Sequence, residues 1–207
     1  MTHSAGAILL AAGAARRMGS CKQLLPLAGK TVIAHCLETL LTGGSKEVIV
    51  VVRPEGDEVA RAARDYPVQV VMTTDPDGDM AASVRTGRDA LSSSITGVMV
   101  ALCDYPLVTA ATISSLIAVH CMNPEGIIIP CHHGRRGHPP LFPRQLLEGL
   151  AAPLTLRDLM RANPERIKHL SVADRGVLID MDTPEDYQRV TEYFNQNRYV
   201  IGTYQYQ

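Results

Sequence analysis

The sequence predicts an α/β protein: a single three-layer domain with a mostly parallel sheet and a small inserted region of loop and short strands. Apolar runs rich in β-branched residues alternate along the chain with helical patterns, which is typical of successive βαβ units. The length of 207 residues suits one domain with a sizeable core. Hydrophobic residues make up 46% of the chain and charged residues 20%, which is ordinary for a soluble globular protein.

The predicted strands are short apolar runs, and the helices between them carry apolar residues at helical spacing. The strands are Ala7–Leu10, Glu47–Val52, Val68–Thr73, Gly97–Leu102, Gly126–Pro130 and Val177–Asp180. The helices are Val32–Leu41, Gly56–Asp65, Met80–Ala90, Ala110–Asn123, Leu154–Asn163 and Pro184–Asn195. Thr183 is predicted to cap the last helix, because Pro184 suits the first helical position after it.

Two segments depart from this alternation. The segment from His132 to Leu146 is rich in glycine and proline, and we expect an inserted loop with short strands beside the functional site. The domain is expected to span residues 1–197, followed by a C-terminal tail at residues 198–207. For that tail, an extra strand and a loose end are alternatives that the sequence leaves open.

Charge, hydropathy and cysteine content narrow the classes of function. The formal net charge of −1 argues against a nucleic-acid partner, so any phosphate chemistry needs a local basic patch. No early apolar run is long enough to cross a membrane and no signal-peptide pattern precedes it, so we expect no membrane partner. The five cysteines form no Cys-x-x-Cys pair, which favours reduced thiols in the cytoplasm. Histidines near Cys131 are interpreted as solvated loop residues, since zinc sites usually draw on two separated ligand pairs.

A loop of small and basic residues follows the first predicted strand. Gly13 and Gly19 allow a tight turn and a close approach of the backbone to a ligand. Exposed backbone N–H groups in such a loop form a concavity that binds anions. Arg16, Arg17 and Lys22 add positive charge, and the arginine fork suits phosphate oxygens. The loop is therefore a candidate cradle for a triphosphate.

The two commonest phosphate-binding motifs do not fit this loop. The dinucleotide motif needs Gly-x-Gly-x-x-Gly, and Gly13 and Gly19 lie too far apart for it. The P-loop needs four residues between its glycines and a lysine after the second, whereas five residues separate these glycines and Ser20 follows Gly19.

Carboxylates follow two other predicted strands. Asp104 comes directly after Gly97–Leu102 and Cys103, and Asp180 and Asp182 come at the end of the last predicted strand. In an open α/β sheet, ligands bind beyond the carboxyl ends of strands. Alternation along an extended segment would place Asp180 and Asp182 on the same face. Carboxylates from two strand ends are suitable ligands for Mg²⁺, which leaves positions for phosphate and water.

These motifs together resemble a known family. The first loop resembles the nucleotidyltransferase signature Leu-x-x-Gly-x-x-x-Arg-Met-Gly-x-x-Lys, which is matched by Leu9, Gly13, Arg17, Met18, Gly19 and Lys22. The later motifs are similar to those of molybdenum-cofactor nucleotidyltransferases, namely Asp104–Leu107, Gly137–Pro139 and Asp180–Asp186. Their order and spacing match from residue 6 to about residue 195. The chain is thereby identified as a member of the MobA-like nucleotidyltransferase family.

The resemblance implies a fold and a role for each matching residue. The implied fold is the Rossmann-like domain of nucleotide-diphospho-sugar transferases. The implied catalytic residues are Arg17, Lys22 and Asp104. The implied nucleotide-binding residues are Leu10, Ala11, Ala12, Gly13, Arg17, Met18, Gly19, Lys22, Met80 and Ser83. The implied acceptor-binding residues are Gly137, His138 and Pro139, and the implied Mg²⁺ ligands are Asp104 and Asp182, with Asp180 as the alternate.

Two features resemble the cytidylyl branch of this family rather than the guanylyl branch. The first loop reads Ala11-Ala12-Gly13 where guanylyl members tend to have Leu-Ala-Gly-Gly, and Gly137-His138-Pro139-Pro140 follows later. The resemblance thus implies Mg²⁺-dependent transfer of CMP from CTP to the phosphate of molybdopterin, with pyrophosphate released. A molybdenum hydroxylase would receive the product.

Two alternative functions remain open at this point. The shared loop also suits nucleotide transfer to a sugar phosphate or a polyol phosphate. A non-catalytic carrier that delivers the cofactor to a molybdenum hydroxylase is the other alternative, although a carrier would not need Lys22, Asp104 and Asp182.

Overall fold

The computed structural model describes residues 3–13, 21–73 and 80–201. Strands and helices alternate through the first half of the chain, in the predicted order. They are β1 (Ala5–Leu10), the short hairpin of β2 (Pro26–Leu27) and β3 (Lys30–Thr31), α1 (Val32–Thr42), β4 (Val48–Val52), α2 (Asp57–Arg64), β5 (Gln69–Met72) and α3 (Met80–Ala90).

The second half of the chain carries the inserted region. Its elements are β6 (Gly97–Leu102), α4 (Ala110–Met122), β7 (Ile127–His132), β8 (Arg135–Arg136), β9 (Leu141–Pro143), α5 (Arg144–Glu148), α6 (Leu156–Ala162), β10 (Ile167–Ser171) and α7 (Pro184–Ile201). The predicted cap of the last helix is confirmed, since Thr183 Oγ1 accepts a hydrogen bond from the Asp186 N–H at 3.2 Å.

The described strands form an eight-stranded, mostly parallel sheet in the order β10-β7-β9-β6-β1-β4-β5, with β8 paired to β7. The predicted α/β class is therefore confirmed. β1 pairs in parallel with both β4 and β6. β8 and β9 are the exceptions within the described sheet, because β9 runs antiparallel between β6 and β7 and β8 pairs antiparallel with β7. The inserted region thus supplies a strand that joins the two halves of the sheet.

Helices cover both faces of the sheet, which explains why the central strands are apolar on both sides. All five residues of β4 are buried. One core lies between the sheet and α1, α2, α4 and α7, and includes Leu37, Ala60, Leu116 and Val190. The other lies beneath α3, α5 and α6, and includes Val84, Leu147 and Leu159.

The prediction of a strand at Val177–Asp180 is wrong. A 3-10 helix occupies Arg175–Leu178 instead, and the chain beyond it is irregular. Asp174 starts this turn by accepting a hydrogen bond from the Gly176 N–H at 2.8 Å. A short apolar run does not by itself distinguish a strand from a buried helical turn.

Three other differences concern elements or ends that the sequence analysis did not place. β10 is an edge strand with exposed Lys168 and His169, so it lacks the apolar pattern of a buried strand. α5 follows β9 directly, and α7 continues to Ile201, beyond its predicted end at Asn195. The rest of the tail, residues 202–207, lies outside the described residues. Among the helices that the structure describes, none has the length and apolar character needed to span a membrane.

Candidate functional site

The candidate site lies at the carboxyl end of β1 and β6. These strands are parallel neighbours, so the segments that follow them begin at the same edge of the sheet. A hydrogen bond from the Cys103 N–H to the Leu10 carbonyl, at 3.2 Å, extends the pairing past the end of β6. Asp104 therefore lies beside the loop that begins at Ala11.

A buried glutamine holds the described part of that loop. Gln23 Nε2 donates to the carbonyl oxygens of Ala11 at 3.1 Å and Gly13 at 3.2 Å. Ala11 is also fixed to β4, because its N–H donates to the Val51 carbonyl at 2.9 Å. The positions of Ala11, Ala12 and Gly13 are consequently set by the protein before any ligand binds. The sequence analysis assigned no role to Gln23.

The ammonium group of Lys22 joins the two predicted metal ligands. Its Nζ donates to Asp104 Oδ2 at 3.0 Å and to Asp182 Oδ1 at 2.9 Å. The three residues come from the segment after the first loop, the end of β6 and the segment before α7. The predicted grouping of Lys22, Asp104 and Asp182 is thus present in the structure, with a cation of the protein itself between the carboxylates.

The two carboxylates keep the Lys22 side chain protonated. Burial lowers the pKa of Lys22, but the Asp104 and Asp182 carboxylates more than offset it, and the net pKa lies above its ordinary value. The ammonium therefore keeps its charge at neutral pH and neutralises part of the carboxylate pair.

Asp104 retains an oxygen that is suited to a cation. Its Oδ1 is buried and has no hydrogen-bond partner among the described residues. A buried carboxylate oxygen is costly unless something pairs with it. Within the described parts of the chain, no three His, Cys, Asp or Glu side chains form a metal cluster. Mg²⁺ is usually held by one or two carboxylates, with phosphate and water at its other coordination positions, so a pair of carboxylates fits this ion.

Asp180 and Asp182 differ in their contacts. Asp182 accepts a hydrogen bond from Lys22, whereas the charge of Asp180 acts on His138, and the charges of both act on Tyr105. Burial first, and then the charges of Asp180, Asp104 and Asp182, raise the pKa of Tyr105 to about 12. Asp182 is therefore the better partner for Asp104. The predicted strand Val177–Asp180 is absent, so the alternation that was expected to place Asp180 and Asp182 on one face has no strand to rest on.

The Gly137–Pro139 step packs against the 3-10 helix at Arg175–Leu178. The His138 N–H donates to the Val177 carbonyl at 2.9 Å, and a Cβ on Gly137 would overlap that same carbonyl oxygen. Pro139 is buried. Glycine is required here for close packing of two backbones.

The His138 ring lies 4.7 Å from the Tyr105 ring, centroid to centroid. Burial lowers the pKa of His138, while the nearby Asp104 and Asp180 act in the opposite direction without reversing that shift. A neutral imidazole is expected at neutral pH. Its Nδ1 is buried and has no partner within the described residues. The predicted acceptor-binding step therefore lies next to the carboxylate cluster.

The remaining predicted nucleotide-binding residues divide into two groups. Met80 and Ser83 lie on the first turn of α3, where Met80 is half exposed and Ser83 is buried. α3 packs on β1 and β4, at the same edge of the sheet as Gly13. Arg17, Met18 and Gly19 lie outside the described residues.

Asp174 is a further residue that the sequence analysis missed. It accepts hydrogen bonds from residues at the start of α4 and from the turn before α7. Its partners at the start of α4, Thr109 and Thr112, are more than sixty positions away in the chain, so no local pattern could have indicated these contacts.

Comparison with known proteins identifies related sequences. Residues 7–168 match the model of the MobA-like NTP transferase domain. The chain is also 30% identical over 195 residues to the Nicotine blue oxidoreductase of Paenarthrobacter nicotinovorans, a match that covers 88% of this chain and 94% of that protein.

Solved structures share the fold over nearly the whole chain. A nucleotidyl transferase from Methanothermobacter thermautotroptrophicus superposes with a TM-score of 0.79 at 25% identity, covering 94% of this chain and 99% of that one. Rv0371c of Mycobacterium tuberculosis, solved as a complex with manganese, gives a TM-score of 0.74 at 27% identity, covering 93% of this chain and 100% of that one.

Proposed function

This chain belongs to the MobA-like NTP transferase family, and on that premise we propose that it transfers CMP from CTP to the phosphate of a molybdopterin-type acceptor. As a member of the family it is a nucleotidyltransferase enzyme; the nucleotide and the acceptor are the proposal. An oxygen of the acceptor phosphate attacks the α-phosphorus of CTP. The bond from that phosphorus to the bridging oxygen breaks, and pyrophosphate leaves with the oxygen.

The observation that carries the proposal is the position of Lys22 between Asp104 and Asp182, at 3.0 Å and 2.9 Å, beside Gly13. Phosphoryl transfer depends mainly on positioning and on neutralising charge, so no side-chain nucleophile is needed. Lys22, together with Arg17, would offset the negative charge that develops on the pyrophosphate.

Asp104 and Asp182 are the residues that would hold Mg²⁺. The Oδ1 of Asp104 supports this assignment, because it is buried and none of the described residues pairs with it, as does a carboxylate pair that already binds the Lys22 ammonium. When bound, the metal would neutralise phosphate oxygens and polarise the reacting phosphate. Asp180 would act through its charge on Tyr105 and His138 and would not hold the metal.

CTP and the acceptor would bind at different parts of the carboxyl edge of the sheet. The backbone from Leu10 to Gly13, with Met18 and Gly19 of the same loop, would bind the triphosphate. Met80 and Ser83 on α3 would bind the base. The Gly137–Pro139 step would bind the acceptor, because it lies against Tyr105 beside Asp104. We propose that a molybdenum hydroxylase receives the product, and that the enzyme acts in the cytoplasm.

The test is a panel of the four nucleoside triphosphates with Mg²⁺, each assayed for pyrophosphate release with molybdopterin, with a sugar phosphate, with a polyol phosphate and with no acceptor. We expect release with CTP only when molybdopterin is present. Release with a sugar phosphate or a polyol phosphate instead would overturn the acceptor. Binding of molybdopterin with no pyrophosphate from any nucleotide would indicate a carrier. Pyrophosphate release also separates this activity from the redox activity named for the Paenarthrobacter relative.

A further inference from the structure

Asp174 connects the two segments that carry the carboxylates of the site. Its Oδ2 accepts hydrogen bonds from the Thr109 N–H at 2.8 Å, the Thr109 hydroxyl at 2.9 Å and the Thr112 hydroxyl at 2.7 Å. Its Oδ1 accepts from the Gly176 N–H at 2.8 Å. One side chain thus joins the start of α4 to the 3-10 helix that leads towards Asp182.

The segment that ends at Thr109 begins at Asp104, which is separated from the end of β6 by one residue. Within it the Tyr105 N–H donates to the Leu102 carbonyl, and the Val108 N–H donates to the Tyr105 carbonyl. Because these bonds restrain the backbone between Asp104 and Thr109, a shift of one residue would also shift the other. A carboxylate that fixes Thr109 therefore also restrains the backbone at Asp104.

The 3-10 helix at Arg175–Leu178 is interlocked with the same region. A Cβ on Gly176 would overlap the Leu107 carbonyl, so the two backbones are in direct contact. Val177 is fully buried, and its carbonyl binds the His138 N–H. From this anchored turn the chain runs through buried Met181 to Asp182.

We infer that Asp174 is a positioning residue that sets the separation of Asp104 and Asp182, and so the affinity of the site for a divalent cation. The inference rests on the metal site of the proposed function. Asp174 acts through hydrogen bonds to the backbone on both sides. Residues that orient metal ligands in this way usually change metal affinity roughly 10–100-fold when they are removed.

The test is the affinity for Mn²⁺ in the absence of nucleotide, measured from the electron paramagnetic resonance signal of the free ion. We expect Asp174→Asn to weaken Mn²⁺ binding by about 10-fold or more. Thr112→Val removes one of the four hydrogen bonds and should shift the affinity in the same direction by less. That milder variant keeps the inference testable if Asp174→Asn does not fold.

Asp158→Asn is the matched control. Asp158 also binds the N-cap threonine of a helix, since its Oδ2 accepts from the Thr155 hydroxyl at 2.7 Å. It belongs to α6, on the opposite face of the sheet from α4. Its variant should lose stability as a helix-cap variant does and keep the wild-type affinity for Mn²⁺.

The outcomes distinguish the role of Asp174 from the existence of the metal site. Wild-type affinity in both Asp174→Asn and Thr112→Val, with loss of binding in Asp104→Asn, would overturn the role of Asp174 and leave the metal site standing. Failure of the wild-type protein to bind Mn²⁺, or unchanged binding in Asp104→Asn, would overturn the metal site and the role of Asp174 with it.

Discussion

Lys22 Nζ lies 3.0 Å from Asp104 Oδ2, and the two side chains are only 13% and 21% exposed. The same nitrogen binds Asp182, so Lys22 pairs with two carboxylates at once and offsets one of their two negative charges.

Replacing Lys22 by methionine should destabilise the protein and impair transfer. The change leaves Asp104 and Asp182 facing each other without a counter-ion. Loss of a partner for a partly buried charge should lower the free energy of unfolding by about 1–3 kcal/mol, measured by urea denaturation. Added Mg²⁺ should restore part of the loss, while pyrophosphate release falls.

Lys30→Met is the control for this change. Lys30 pairs with Glu38 at 2.7 Å, but its side chain is 51% exposed. Exposed pairs contribute little, so its stability and turnover should stay close to those of the wild type. If Lys22→Met matched Lys30→Met in both measurements, Lys22 would have no special role.

Asparagine substitutions should separate Asp182 from Asp180. Asp182 accepts a hydrogen bond from Lys22 beside Asp104, whereas the charge of Asp180 acts on His138. We expect Asp182→Asn to lose most of its turnover and to need more Mg²⁺, because an amide is a poorer ligand for a hard cation. Asp180→Asn should keep the wild-type Mg²⁺ requirement. The reverse result, from Mg²⁺ titrations of pyrophosphate release, would make Asp180 the ligand.

The elements near this site differ in how far the sequence could predict them. β6 and α3 were predicted with the bounds that they have, because their apolar periodicity is local. The position of Asp104 at the edge where the first loop begins is predicted, because parallel strands end at one edge, whereas its ion pair with Lys22 is visible only in the structure. The antiparallel insertion of β9 and the contacts of Asp174 depend on pairing between distant segments. Val177 was misassigned because its burial comes from packing against Gly137, which no local pattern encodes.

Alanine substitutions at two glycines should have opposite effects on folding and on binding. A Cβ on Gly13 would lie 3.6 Å from Lys22 Cε, an ordinary contact, so Gly13→Ala should fold normally. If Gly13 approaches the triphosphate, calorimetry should show weaker CTP binding for this variant.

Gly137→Ala should instead destabilise the protein. Its Cβ would overlap the Val177 carbonyl, and backbone cannot move aside cheaply. Overpacking of this kind usually costs about 1–3 kcal/mol, which thermal unfolding would detect. A stable Gly137→Ala variant would contradict the packing role assigned to this glycine.

His120 should make stability depend on pH. It is fully buried, and its Nε2 lies 3.0 Å from Thr96 Oγ1. Burial, and then the charge of His3, lower its pKa below the ordinary value of 6.5. The unfolded chain therefore binds a proton at His120 more readily than the folded chain. The stabilising contribution is present above pH 6.5 and is lost as the pH falls through the folded-state pKa.

Urea denaturation at pH 7.5 and at pH 5.5 checks this prediction. The wild-type protein should lose stability between the two values, and His120→Gln should lose less. His138 also has a lowered pKa, but it is present in both proteins and so does not affect the comparison. An equal loss in both proteins would mean that His120 does not contribute.

Preference for cytidine over guanosine should depend on the methyl group of Ala12. Gln23 Nε2 binds the carbonyls on both sides of this residue, at Ala11 and Gly13, so the methyl group cannot easily move away from a ligand. A fixed methyl narrows the space in which a glycine would admit a purine, and steric exclusion discriminates strongly.

In competition between CTP and GTP, the wild-type enzyme should favour CTP. Ala12→Gly should shift the ratio of transfer rates towards GTP by about 1–3 kcal/mol, as expected for one methyl group in a pocket. Ala5→Gly is the control, because Ala5 is buried at the opposite end of β1 from the site, so its loss should lower stability without changing the ratio. A wild-type preference for GTP would refute the cytidylyl assignment, whereas an unchanged ratio in Ala12→Gly would keep the assignment and discard the steric explanation.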